Sequence, residues 1–199
     1  MLTKIINQRA TMQAITQVIE ATMAARDPYT VKHQRRVTQI ALSIAEKLHL
    51  PAETSERLRI AGNLHDLGKV GVPTEILVKP GRLTELEFSI IKNHPMVGYE
   101  ILKPLELPHA TSQIVIQHHE RWNGSGYPYG LAGTDILLEA RIIGVADVVE
   151  AMASDRPYRP ALGLATAMEE LSRNKGVLYD PQVVDACSQL YGENKFELF

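Results

Sequence analysis

The chain has 199 residues, is 45% apolar and carries 21 Lys+Arg against 23 Asp+Glu, a formal net charge of -2. That composition fits one ordinary globular domain with a sizeable core. It gives no reason to expect a nucleic acid polymer as partner, which needs a basic stripe to neutralise phosphates, and leaves room for a small anionic ligand. Cys187 is the only cysteine, so no internal disulfide forms and a cytoplasmic setting is expected. No stretch reaches the roughly 18 uninterrupted apolar residues of a membrane span. Even the rich run 136–152 carries Glu139, Arg141, Asp147 and Glu150.

In chain order, Ile5, Met12, Ile15, Ile19 and Met23 recur at helical spacing, so a first helix runs from near residue 1 to about Ala25. Arg26-Asp27-Pro28 breaks it. Residues 1–23 form an N-terminal helix that packs on the domain or ends a longer connecting helix from an upstream sensor or receiver domain; residues 24–199 form the domain itself. Val37, Ile40, Ala41, Ile44 and Leu48 stripe a second helix, and Leu58, Ala61, Leu64 and Leu67 a third. Thr84 followed by Glu87 reads as a capping box after the Lys79-Pro80-Gly81 turn. Helical patterns return around Val115 and over 140–152, with breaks at the loop 123–133, at Pro157 and Pro160, and at Asp180-Pro181. No segment alternates as a strand does. The fold class is all-α, a compact bundle of roughly seven to nine helices.

Seven histidines keep different company. His49, in the last turn of a helix, and His109, at a helix start, read as structural or surface residues. His33, His65 beside Asp66, His94, and the pair His118-His119 do not. Asp147 stands among Ile142, Ile143, Val145, Ala146, Val148 and Val149, where a carboxylate is costly unless it is paired or binds a metal. Imidazole and carboxylate ligands suit Fe, Mn, Zn, Co or Ni, and two such ions about 3.5 to 4 Å apart activate a bridging water for attack on phosphorus. Adjacent helical residues point about 100° apart, so His118 and His119 imply ligands gathered from several helices. If the helix of His65 persists past Gly68, Lys69 lies one turn along on the same face. Arg156 and Arg159 add guanidinium groups suited to phosphate.

The stretches DPYTVKHQRRV, LHDLGKVGVPTEILVKPGRLTELE, IIKNHPMVGYEIL, HHERWNGSGYP and ARIIGVADVVEAMASDRPYRPA resemble, in order and over about residues 24 to 185, the HD-GYP domain. This is a branch of the HD metal-dependent phosphohydrolases that hydrolyses the bacterial second messenger cyclic di-GMP. The resemblance implies a bimetal site between helices, with one ion on His33, His65, Asp66 and Asp147. A second ion would share Asp66 and use His94, His118 and His119. Iron or manganese is implied, with Zn, Ni, Co or Mg as other occupants. A third ion needs a glutamate four residues before the first histidine; Tyr29 stands there, so two metals are expected.

Asp66 and Lys69 are implied to be catalytic, the lysine at the scissile phosphate, with Tyr127, Glu150, Arg156 and Arg159 at the substrate. Glu150 departs from the aspartate usual at its position. The implied reaction is attack of a metal-bridging hydroxide on cyclic di-GMP, giving pGpG and/or GMP. The alternatives are hydrolysis of cyclic GMP-AMP and a binding module with little catalysis. A diguanylate cyclase (GGDEF) partner at the Gly-Tyr-Pro loop and a homodimer complete the expected partners. In HHERWNGSGYP the helix is expected to end at Arg121 or Trp122, with Trp122 packing.

Overall fold

The structure is a computed structural model that describes residues 2–105, 107–108, 110–155 and 160–193, and the side chains of these except 2–13 and 28. His109, Arg156 and Arg159 lie outside the described residues.

The break expected at Arg26-Asp27-Pro28 is a shared corner. Helix α1 (Leu2–Arg26) stops there and α2 (Pro28–Lys47) starts, with Asp27 accepting from the Thr30 amide at 3.1 Å and its hydroxyl at 2.5 Å. Such a side chain satisfies amides that the first helical turn leaves without a partner. The α2 stripe Val37, Ile40, Ala41 and Ile44 is at most 1% exposed. It packs between α3 (Ala52–Leu64) and, further along the chain, α8 (Leu138–Ala153). α4 (Thr74–Leu77) is a single turn, and α5 (Glu85–Lys92) starts with the expected Thr84/Glu87 capping box. α6 (His94–Leu102) and α7 (Thr111–Gln117) pack on each other, and α6 also on the 3₁₀ turn Leu67–Gly71. α9 (Leu164–Arg173) and α10 (Pro181–Gly192) close the core with Leu171, Val183 and Cys187. No described residue lies in a strand beyond isolated bridges, and no described helix is long and apolar enough to cross a membrane.

Ten helices among the described residues exceed the expected seven to nine because a one-turn helix such as α4 carries too little periodicity to be read. Three local departures matter more. α7 ends at Gln117, not at Arg121 or Trp122, because tertiary bonds take over: Trp122 donates to the Leu178 carbonyl at 3.0 Å and accepts from the Gly133 amide at 2.8 Å. α3 ends at Leu64, so Lys69 sits in a 3₁₀ turn rather than one α-turn beyond His65. His49 lies two residues past the end of α2 with φ 54°, so it is a turn residue and not part of the last helical turn.

Candidate metal centre

α3, α5 and α7 all end at one place. His65 follows the last residue of α3, His94 opens α6 one residue after the cap of α5, and His118 follows α7. The three rings are held alike. Each Nδ1–H donates to the carbonyl three residues back: Gly62 at 2.7 Å, Ile91 at 2.7 Å and Val115 at 2.6 Å. The last carbonyls of a helix have no partner within it, so these bonds satisfy them and fix the tautomer. His33, on α2, donates its Nδ1–H to Glu150 of α8. With these four Nδ1 atoms committed, Nε2 is the atom that each of the four rings turns inward, the arrangement that supports metal-ligating histidines.

The inward atoms form two groups. His33, His65 and Asp66 present donor atoms within 4.8 Å of one another, and so do His94, His118 and His119. Asp66 joins them. Its Oδ2 lies 3.6 Å from His65 Nε2 and 3.8 Å from His33 Nε2, while its Oδ1 lies 3.3 Å from His94 Nε2. Asp147 Oδ1 approaches His33 Nε2 at 3.1 Å, and the Asp147 side chain is 15% exposed, half-open to the site. Two observations suit cations here. His65 Nε2 is buried with no hydrogen-bond partner. His94 Nε2 and His118 Nε2 stand 3.3 Å apart, two lone pairs that only a proton or a metal ion reconciles. The donor set is nitrogen and oxygen without sulfur, suited to borderline divalent metals.

Charge within the site is divided. Burial lowers the His118 and His119 pKa values far below the ordinary imidazole range, helped by their neighbouring histidines, and burial lowers His65 too. For His33, burial also pulls downward, but the bonds to Asp147 and Glu150 and the charges of Asp147 and Asp66 win and raise it to about 9. Burial pushes Asp66 and Asp147 upward. Lys69 and the histidines around Asp66, and His33 beside Asp147, outweigh it and keep both ionised.

Lys69 reaches Asp66 Oδ2 at 2.6 Å because a 3₁₀ turn nearly eclipses residues i and i+3. Gly68 lets that turn touch α6. A Cβ there would stand 1.9 Å from the His94 carbonyl oxygen and 2.6 Å from the Gly98 nitrogen. Beside Lys69 opens a cleft of about 300 Å³, lined among others by Tyr29, Lys79, Phe88 and Ile91.

The loop after α7 is clamped by a residue that sequence reasoning passed over. Glu120 is 5% exposed and accepts from the Tyr129 amide at 2.7 Å and the Leu131 amide at 3.1 Å, one with each oxygen. The hint was available: a glycine-rich loop has amides that need acceptors, and a carboxylate stands at its mouth. Gly126 lies against the backbone of Glu120 and Arg121, where a Cβ would come within 2.4 Å. Tyr127 is thereby laid over His119, ring centres 4.8 Å apart, with Lys92 at 5.4 Å from its ring. Trp122 packs as expected, under the Arg141 guanidinium.

The residues expected as metal ligands, His33, His65, Asp66, His94, His118, His119 and Asp147, are thus brought together, with Lys69 and Tyr127 at the rim. Glu150 is placed otherwise. It is 1% exposed and its carboxylate is engaged by His33 and by Ser154 at 2.7 Å, so it stands behind His33 and does not line the cleft beside Lys69.

Comparison with known proteins agrees with this geometry. Residues 17–183 match the HD domain model, and the chain belongs to that family. It is 41% identical over 181 residues to the cyclic di-GMP phosphodiesterase response regulator RpfG of Xanthomonas campestris pv. campestris, covering 90% of this chain and 47% of that protein. It is 33% identical over 190 residues to the 3'3'-cGAMP-specific phosphodiesterase 2 of Vibrio cholerae, covering 94% of this chain and 36% of the other. The chain therefore spans half or less of the curated relatives it matches. Bd1817, an HDG"Y"P protein from Bdellovibrio bacteriovorus, has the same fold, with a TM-score of 0.68 at 20% identity over 80% of this chain and 51% of that one.

Proposed function

We propose that this chain is a metal-dependent phosphodiesterase that hydrolyses cyclic di-GMP to pGpG and/or GMP. The observation that carries the reading is the placement of Asp66, one oxygen toward His33 and His65 and the other toward His94. A carboxylate so placed suits a shared ligand, with His33, His65 and Asp147 on one side and His94, His118 and His119 on the other. Two divalent ions there, iron or manganese by preference, would supply Lewis acidity and lower the pKa of a water for in-line attack on phosphorus.

The chain's own groups do the rest. The Nδ1 bonds hold the imidazoles in position, and Glu150 holds the Nδ1 proton of His33. Lys69, a quarter exposed and facing both Asp66 and the cleft, takes a non-bridging phosphate oxygen and stabilises the charge that grows on it. Tyr127 offers a ring face to a nucleobase beside His119. Its loop neighbour Tyr129, 56% exposed, is what a diguanylate cyclase partner would meet. A bacterial second messenger as substrate puts the reaction in the cytoplasm.

The second reading keeps the same site and changes one purine, making cyclic GMP-AMP the substrate; the relative of that specificity favours it. Full-length protein, purified anaerobically and loaded with iron or manganese, should turn over at least one of the two cyclic dinucleotides, and their relative kcat/KM decides between them. Neither being hydrolysed over hours sinks the reading. An Asp66→Ala variant that keeps its fold should lose metal and turnover together.

A further inference from the structure

Arg26, the last residue of α1, donates from its guanidinium to two backbone carbonyls more than forty residues away: Val70, and Val72 at 2.6 Å. Both belong to the stretch that carries Lys69. That stretch is closed internally by the Lys69 amide donating to Asp66 at 2.9 Å and the Val72 amide donating to Lys69 at 3.0 Å. The fork from α1 therefore grips the chain just after the lysine, where Asp66 grips it just before.

α6 holds one side of this stretch through Gly68 and the buried Leu67 and Val72 lie inward, but the side facing α1 is open. Val70 is 48% exposed, the following α4 buries no residue, and an apolar cavity of about 340 Å³ lies between Val18 and Met23 of α1 and Leu67, Val70 and Leu77. Packing is open where the guanidinium crosses. Arginine suits the span, since a planar fork satisfies two carbonyls at once and a lysine ammonium is a single compact point.

We propose that Arg26 is a positioning residue for Lys69, which couples the end of α1 to the group that meets the phosphate. This rests on the reading of Lys69 given above. The test uses the metal-loaded full chain with Arg26→Gln and Arg26→Lys. Arg26→Gln should lower kcat for the cyclic dinucleotide about 10- to 100-fold, as a displacement near 1 Å does, with KM and metal content kept. Arg26→Lys should fall between, because it restores one of the two bonds. Amide hydrogen exchange should speed up at Lys69 and Val72 in Arg26→Gln and stay unchanged in α8. Wild-type kcat in Arg26→Gln, unchanged exchange at those two amides, or a kcat loss that follows metal loss each overturns the proposal. If wild type hydrolyses no cyclic dinucleotide, the functional reading has failed, and the exchange at Lys69 and Val72 still tells whether Arg26 holds the turn.

Discussion

Gly68→Ala should break the site without touching a ligand. The added Cβ would lie 1.9 Å from the His94 carbonyl oxygen, and ordinary contact begins at 3.4 Å, so the turn and the start of α6 must part by about 1.5 Å. Both obstacles, the His94 oxygen and the Gly98 nitrogen, are backbone, so no side chain can swing aside. The two parting segments carry Asp66 and His94, whose facing atoms are 3.3 Å apart. Metal ligands tolerate about 0.2 Å, so a shift of that size removes Asp66 from one of the two groups. Overpacking of this kind costs about 1 to 3 kcal/mol, which the fold as a whole can survive. The expected variant is helical and folded, retains less than half the metal of wild type by elemental analysis, and is at least about 100-fold slower. Gly71→Ala is the control: it lies in the same turn, and its Cβ would meet only Val97 side-chain atoms at 3.6 Å or more. Gly68→Ala with full metal content and near-wild-type turnover would show that Asp66 does not join the two groups in the way described.

Glu120→Gln puts an amide N–H against one of two buried backbone amides, which costs about 1 to 3 kcal/mol; a lower denaturant midpoint and a higher KM at unchanged metal content are expected, and wild-type values in both would remove its role as loop clamp. His33 has its pKa raised to about 9 by Asp147 and Glu150 against the pull of burial, so in metal-free protein it is charged at pH 7. Its contribution to metal-free stability is complete below 6.5 and disappears as pH rises through about 9. Metal must displace that proton, so loading at pH 7 should release about one proton, and affinity should climb with pH up to about 9; titration heats that do not depend on buffer ionisation enthalpy count against this. Glu150→Gln keeps an acceptor for His33 but removes the charge behind it, and should weaken metal binding about 10- to 100-fold, checked by competition with a chelator.

What could be read along the chain were residues whose neighbours contradict them. Asp147 in an apolar stripe, His65-Asp66 beside glycine and leucine, and paired histidines at a loop all signal a site, and the resemblance to the HD-GYP domain implies the grouping into two. The corner at Asp27 and the capping box at Thr84 were legible because cap chemistry acts over three residues. What escaped acts over distance. His33 and Glu150 are 117 positions apart, and Arg26 bonds carbonyls that have no side-chain identity to read. For Glu150 the family resemblance implies a place at the substrate; which face of α8 looks at α2 is decided by packing, and packing turns it to His33. The early end of α7 has the same origin, since nothing before residue 121 signals the pull of Leu178 on Trp122.

The convergence of helix ends explains why this fold can hold so many histidines in a dry interior. A helix C-terminus carries partial negative charge and carbonyls without partners. At α3, α5 and α7 those carbonyls take the Nδ1 protons of His65, His94 and His118. The same three termini favour positive charge at the point where they meet. Burial has driven His65, His118 and His119 toward the neutral form, so of these rings only His33, charged between Asp147 and Glu150, supplies positive charge itself. Two carboxylates and three helix ends thus surround imidazoles of which three are held neutral by burial, a field that favours cations from outside. Deleting a ligand removes one bond from that arrangement. Moving a helix end, as at Gly68, misaims a ring and its field together, so changes behind the ligands should cost as much as changes to the ligands themselves.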